Sequence, residues 1–143
     1  LTISKYGMAK RSRLGSGEMV PLAEEGVAIV DESGGHVFER DGYRKTNRGT
    51  KGVRTMSLRD GDEIVSVRQI PDLGDQLFML TGSGMMIRMV SGQTKETLGK
   101  VTKGTRIMEL RNRDRTGYAD EIVFVARLPS ELISTGESLG EEE

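Results

Sequence analysis

The sequence predicts an all-β chain built of two blade-like repeats. Glycine is abundant at 19 of 143 residues and proline scarce at 3, so short apolar runs alternate with tight turns. Three blocks recur in the same order along the chain. Each repeat closes on a short apolar-rich run bounded by turn signals, as expected for strands packed on neighbouring sheets.

The elements follow in order. Residues 1–4 and 8–11 predict a hairpin across Lys5-Tyr6-Gly7, and residues 77–81 and 85–89 a second across Gly82-Ser83-Gly84. These two blocks align at an offset of 77 residues. Lys51-Gly52-Val53-Arg54 aligns with Lys103-Gly104-Thr105-Arg106 at offset 52, and each predicts a strand, 53–58 and 105–110. Asp62-Glu63-Ile64-Val65 aligns with Asp120-Glu121-Ile122-Val123 at offset 58 and opens the last strand of each unit, 63–69 and 121–128. The unequal offsets put about 25 extra residues into the first copy, within 12–42, and a few into the second, around 112–118. Within the insertion, 27–30 and 36–39 flank Asp31-Glu32-Ser33-Gly34-Gly35 and predict a hairpin of an elaborated surface loop. The expected division is therefore a repeat at 1–70 carrying the insertion, a repeat at 71–128, and an acidic, disordered tail at 129–143. Two blades cannot close a ring, and the chain opens directly on strand-like Leu1-Thr2-Ile3. Both predict a fragment of a larger disk.

Composition excludes several chemistries. There is no cysteine and one histidine, His36, so disulfide scaffolds and Cys- or His-rich metal sites are out. The acidic residues lack the spacing of an oxygen cage for calcium, and no P-loop or nucleophile–base pair appears, so no metal site and no catalytic residue is expected. No apolar run approaches the ~18 residues of a membrane span. The net charge of -1 hides a division. Residues 40–59 carry seven Lys/Arg against Asp41 alone, whereas 116–143 carry seven acidic residues against Arg127. A basic stretch of this kind fits a polyanion better than the net charge suggests.

Tyr43-Arg44-Lys45-Thr46-Asn47-Arg48-Gly49-Thr50-Lys51-Gly52-Val53, with Tyr6-Gly7-Met8-Ala9-Lys10-Arg11, resembles the late blades of the DNA gyrase A C-terminal domain family. Leu77–Arg88 resembles the blade that follows. The match to that family's glycine-rich box covers only the Arg-Gly-x-Lys-Gly part, and the 12–42 insertion replaces a very short connection. The resemblance implies a β-pinwheel, a propeller-like disk with exchanged strands whose basic rim wraps duplex DNA. It implies double-stranded DNA as partner, together with the rest of gyrase A and with gyrase B in a cytoplasmic A2B2 topoisomerase that supercoils DNA using ATP. It places the cleavage tyrosine, ATP and Mg2+ elsewhere, so no cofactor is expected in this chain.

The candidate DNA contacts are then specific. Gly49 and Gly52 permit a tight turn and close backbone approach to phosphate, while Arg48 and Lys51 neutralise it. Lys100 and Lys103 do the same in the second copy. Lys10, Arg11, Arg44, Lys45 and Arg54 extend this surface, as do Arg88 and Arg106 in the next blade. Aromatics are only 4%, which argues against a single-strand binder built on base stacking. The acidic tail is expected either to solubilise or to compete with DNA for the basic rim. Two rivals stay open: the equivalent domain of topoisomerase IV, and a propeller-like protein-interaction module.

Overall fold

The computed structural model describes residues 1–97, 102–110 and 120–137. In chain order the strands are β1 (Thr2–Ser4), β2 (Met8–Lys10), β3 (Met19–Pro21), β4 (Ala23–Glu24), β5 (Val27–Ala28), β6 (Phe38–Arg40), β7 (Ile64–Val67), β8 (Gln76–Thr81), β9 (Met86–Val90), β10 (Thr105–Arg106) and β11 (Ile122–Leu128). A single α-helix, α1 (Ser130–Glu137), follows them among the described residues. The chain is thus nearly all β, in antiparallel sheets.

The same hydrogen bonds close both repeats. In the first, the Tyr6 N–H donates to Asp62 Oδ1 at 3.1 Å and the Met8 N–H to Ser4 Oγ at 3.3 Å. In the second, the Ser83 N–H donates to Asp120 Oδ1 at 3.1 Å and the Met85 N–H to Thr81 Oγ1 at 3.1 Å. The partners sit at the offsets read from the sequence. In each copy an aspartate far along the chain accepts the orphan amide of the hairpin turn, a charge-assisted bond. Burial of the Asp120 carboxyl pushes its pKa up, but hydrogen bonds from Ser83, Thr81 and the Glu121 amide outweigh this and hold it below the ordinary carboxylate range.

One strand crosses between repeats. The first sheet has the order β10-β2-β1-β7 and the second β11-β8-β9. By sequence β10 belongs to the second copy, yet it pairs with β2 of the first, Thr105 facing Ala9 and Arg106 facing Met8. This is the strand exchange that the family resemblance implies. It also corrects two strand expectations. Only Thr105–Arg106 of 105–110 joins a ladder, and 53–58 joins none among the described residues. The free edge of β2 is already taken by β10, so 53–58 lies alongside instead, its Ser57 N–H donating to the Thr102 carbonyl at 3.0 Å. Between the sheets Ile3, Ala9, Met79, Ile122 and Val125 form the buried core. Leu77, Met79 and Thr81 alternate inward along β8, the two-residue period of a strand with one face on the core.

The 12–42 insertion is a built element. β3 pairs with β6 and β4 with β5. Glu25 and Gly26, at φ +51° and +82°, make the two-residue turn of the β4–β5 hairpin. The expected hairpin at 27–30 and 36–39 is reduced to a Val30–His36 bridge. Its turn is held by Asp31, whose Oδ1 accepts from the Ser33 hydroxyl at 2.5 Å and the Gly35 N–H at 3.0 Å.

The segment after Leu128 also differs from the expected disordered tail, since Ser130–Glu137 form α1. Asp75, 2% exposed, is the reason: its carboxylate accepts the Ser130 N–H at 2.9 Å and the Arg127 guanidinium at 2.6 Å. A carboxylate satisfying a first-turn amide stabilises a helix start. The remaining tail, 138–143, and the second insertion at 112–118 lie outside the described residues.

Candidate nucleic-acid interface

The basic stretch of the first repeat is a loop with a pinned base. Tyr43 and Thr55 stand at its two ends, and their hydroxyls meet at 2.6 Å. Between them Arg44, Lys45, Arg48, Lys51 and Arg54 are all exposed, with no acidic residue interposed. Gly49 and Gly52 are exposed too, at φ +83° and +77°. That conformation costs an L-residue ~1–2 kcal/mol and glycine almost nothing. A Cβ on either would meet nothing within 4 Å. The two bends are therefore open to solvent, and their backbone is accessible to a phosphate oxygen.

Lys10 is a correction. It is 1% exposed, and its Nζ donates to the Thr55 carbonyl at 2.5 Å. A lysine on a short basic hairpin looks like a surface cation, but β10 covers its strand and Thr55 captures its head. Lys10 thus belongs to the base of the loop and is removed from the contact surface. Arg11 is half-buried, with its carbonyl accepting the Thr97 N–H at 2.9 Å.

In the second repeat Lys103 and Arg106 are exposed. Gly104 has φ +77°, as Gly52 does, but a Cβ there would lie 2.4 Å from the Ala9 carbonyl oxygen. This turn is packed on β2, next to Lys10. The Ser57–Thr102 bond sets the segments that follow and precede the two Lys-Gly pairs beside each other, and the Lys10–Thr55 bond ties the first of them to β2. Lys100 lies outside the described residues. Arg88 stands apart on the second sheet, where it lies over the Phe78 ring at 5.4 Å and bonds Gln76 Oε1.

Further exposed cations are not among the residues singled out from the sequence. Arg59 and Lys95 are exposed cations. Arg59 was visible in the charge run, but its place before Asp60-Gly61-Asp62 marked it as a turn residue. The Tyr43–Thr55 and Lys10–Thr55 pins carry no local signal, because their partners are 12 and 45 residues apart. Near the loop, Arg13 Nε lies 3.8 Å from Asp41 Oδ1. The Ser16 amide and hydroxyl, with a smaller contribution from Arg13, hold the Asp41 carboxyl below its ordinary range against the effect of burial. Among the described residues no cluster of His, Asp or Glu could hold a metal ion. Among the same residues no helix is long and apolar enough to cross a membrane.

The arrangement is thus a cationic, glycine-bent loop on a hydrogen-bonded base, of a chemistry suited to polyanion contact. The family model described as DNA gyrase C-terminal domain, beta-propeller, matches residues 37–71 and 75–116. The DNA gyrase A protein of Metamycoplasma arthritidis is 33% identical over 102 residues, covering 71% of this chain and 11% of the relative. The gyrase A protein of Aeromonas salmonicida is 30% identical over 111 residues, 77% of this chain and 11% of its own. That of Rickettsia typhi is 30% identical over 116 residues, 80% of this chain and 12% of its own. The chain spans about a tenth of the length of these curated relatives.

Proposed function

The chain belongs to the DNA gyrase C-terminal domain family, and on that premise we propose that it binds duplex DNA by its backbone and helps to wrap it within a DNA gyrase A protein. One observation supports the reading most: the exposed loop with Arg44, Lys45, Arg48, Lys51 and Arg54, free of acidic residues and bent at Gly49 and Gly52. Each cation that meets a phosphate releases condensed counterions, which gives affinity without reading sequence. Gly49 and Gly52 let the main chain approach a phosphate as closely as its N–H groups allow. Lys103 and Arg106, exposed on the segment that pairs with β2, carry the contact into the second repeat. Bending a duplex costs on the order of several kcal/mol, and a row of ionic contacts on a rigid base offsets that cost. Lys10 and the Tyr43–Thr55 pair supply the rigidity.

In this reading the chain is non-catalytic. It works with the rest of gyrase A and with gyrase B in an ATP-dependent type II topoisomerase, where ATP and Mg2+ act at other sites. The test uses complete gyrase A assembled with gyrase B on a relaxed plasmid. Arg48→Ala with Lys51→Ala is expected to reduce negative supercoiling severalfold while DNA cleavage persists. Supercoiling at the unaltered rate would sink the proposal.

A further inference from the structure

The insertion at 12–42 plays no part in the DNA reading, and its residues up to 36 precede the segment matched by the family model. Its construction is nevertheless ordered. A stem and two short hairpins meet at Leu22, Ile29 and Val37, whose backbones form a closed ring of hydrogen bonds. The Leu22 N–H donates to Val37 O at 2.7 Å, Ile29 to Leu22 O at 2.8 Å, and Val37 to Ile29 O at 3.0 Å. The three side chains are half-buried at this junction. The base of the stem is closed by Gly17 N–H to Asp41 O at 2.8 Å and Tyr43 N–H to Leu14 O at 3.1 Å.

This arm presents its apolar residues to solvent. Met19 is 51% exposed, Phe38 55% and Val27 70%. Pairing of Pro21 with Phe38, and of Met19 two residues away with Arg40, puts Met19, Pro21 and Phe38 on one face of the stem. An isolated two-stranded sheet is marginal in water, and a grouped apolar face marks a contact surface. The segment 12–42 as a whole holds Glu18, Glu24, Glu25, Asp31, Glu32, Glu39 and Asp41 against Arg13 and Arg40, the latter opposite Met19 on that face. Such a surface repels DNA and anionic lipid alike, and its complement is cationic with an apolar centre.

The chain itself carries that complement. Residues 43–59 hold Arg44, Lys45, Arg48, Lys51, Arg54 and Arg59 and no acidic residue, with Leu58 exposed among them and Val67 exposed on β7. Among the described residues no arm carboxylate forms an ion pair with a cation of this stretch in its own chain. We propose that the acidic arm of one copy docks on residues 43–59 of a second copy. Opposite charges steer the encounter, and the Met19–Phe38 face packs against the exposed apolar residues. The receiving stretch is the one proposed to meet DNA, so a docked arm and DNA compete for it, and the inference is tested without DNA.

The experiment is sedimentation velocity of the chain, with unaltered fold checked by circular dichroism. Self-association is expected at ~10–100 μM in low salt, weakening about tenfold or more when salt is raised past the point where surface charges are screened. The triple change Glu24→Gln, Glu25→Gln, Glu32→Gln on the arm, and Lys51→Glu with Arg54→Glu on the receiving stretch, are each expected to weaken it at least fivefold. Phe38→Ser is expected to weaken it at both salt concentrations. A chain that stays monomeric in low salt, or association unchanged by either charge variant, would overturn the proposal.

Discussion

Lys51-Gly52-Val53-Arg54 and Lys103-Gly104-Thr105-Arg106 are the same turn in two places. Both glycines sit at φ +77°. Around Gly52 a methyl group would find open space, whereas at Gly104 it would strike the Ala9 carbonyl oxygen at 2.4 Å. The first turn is a surface and the second a joint between repeats. What separates them is the neighbour: β2 offers its edge to the second copy's strand, and the first copy's strand has no such edge among the described residues. In an exchanged-strand repeat, a motif's sequence sets its backbone and its position in the row sets its use.

Substituting the two glycines tests this contrast most strongly. Gly104→Ala combines the left-handed penalty with a clash against backbone, and is expected to cost about 3 kcal/mol or more. Its thermal midpoint should fall by roughly 10 °C. Gly52→Ala meets only the penalty of ~1–2 kcal/mol. Equal losses in a thermal melt of the two variants would erase the distinction between joint and surface.

The second repeat has another fixed point in Asp75. Asp75→Ala leaves the Arg127 guanidinium and the Ser130 amide without their acceptor, an expected loss of about 2–3 kcal/mol given that Arg127 is partly solvated. The Ser130 amide, and after it Arg127, hold the Asp75 carboxyl below its ordinary range against the effect of burial. A depressed folded-state pKa means that this contribution is complete above the unfolded value near ~3.9 and disappears as pH falls through the folded value. Acid titration of stability should therefore be shallower in the alanine variant below about pH 4. An identical acid profile would show that Asp75 does not anchor α1.

Lys10 sharpens the comparison from the other side, as a cation that serves the base of the loop and not its surface. Lys10→Met keeps the stem's packing and removes the bond to Thr55 O, an expected cost of about 2 kcal/mol. Its DNA binding should keep the unaltered salt dependence at temperatures where it is folded. A salt slope reduced as much as by loss of Lys51 would return Lys10 to the contact surface.

The fold was legible wherever the determinants are local or repeated. Lys5-Tyr6-Gly7 and Gly82-Ser83-Gly84 announced their hairpins, and the offsets of 77 and 58 residues correctly paired Tyr6 with Ser83 and Asp62 with Asp120. The glycines of the basic loop announced its bends. What escaped depends on contacts distant in sequence. Thr55 captures Lys10 from 45 residues away. β10 takes the edge that 53–58 would otherwise need, so a strand-like run joins no ladder among the described residues. Asp75 turns the start of an acidic tail into a helix, and three apolar residues spaced seven and eight apart knit the insertion into an arm. Nothing in the local pattern distinguishes these from a surface lysine, a strand, a tail and a loop.

The central claim is that the pinned loop at 44–54 meets DNA phosphates. The direct measurement is the affinity of the chain for a short mixed-sequence duplex over a range of salt. The logarithm of affinity should fall linearly with the logarithm of salt concentration, and Arg48→Ala with Lys51→Ala should lower that slope by about two, without change in thermal stability. Binding that stays flat across the salt range, or a slope untouched by the double substitution, would contradict it.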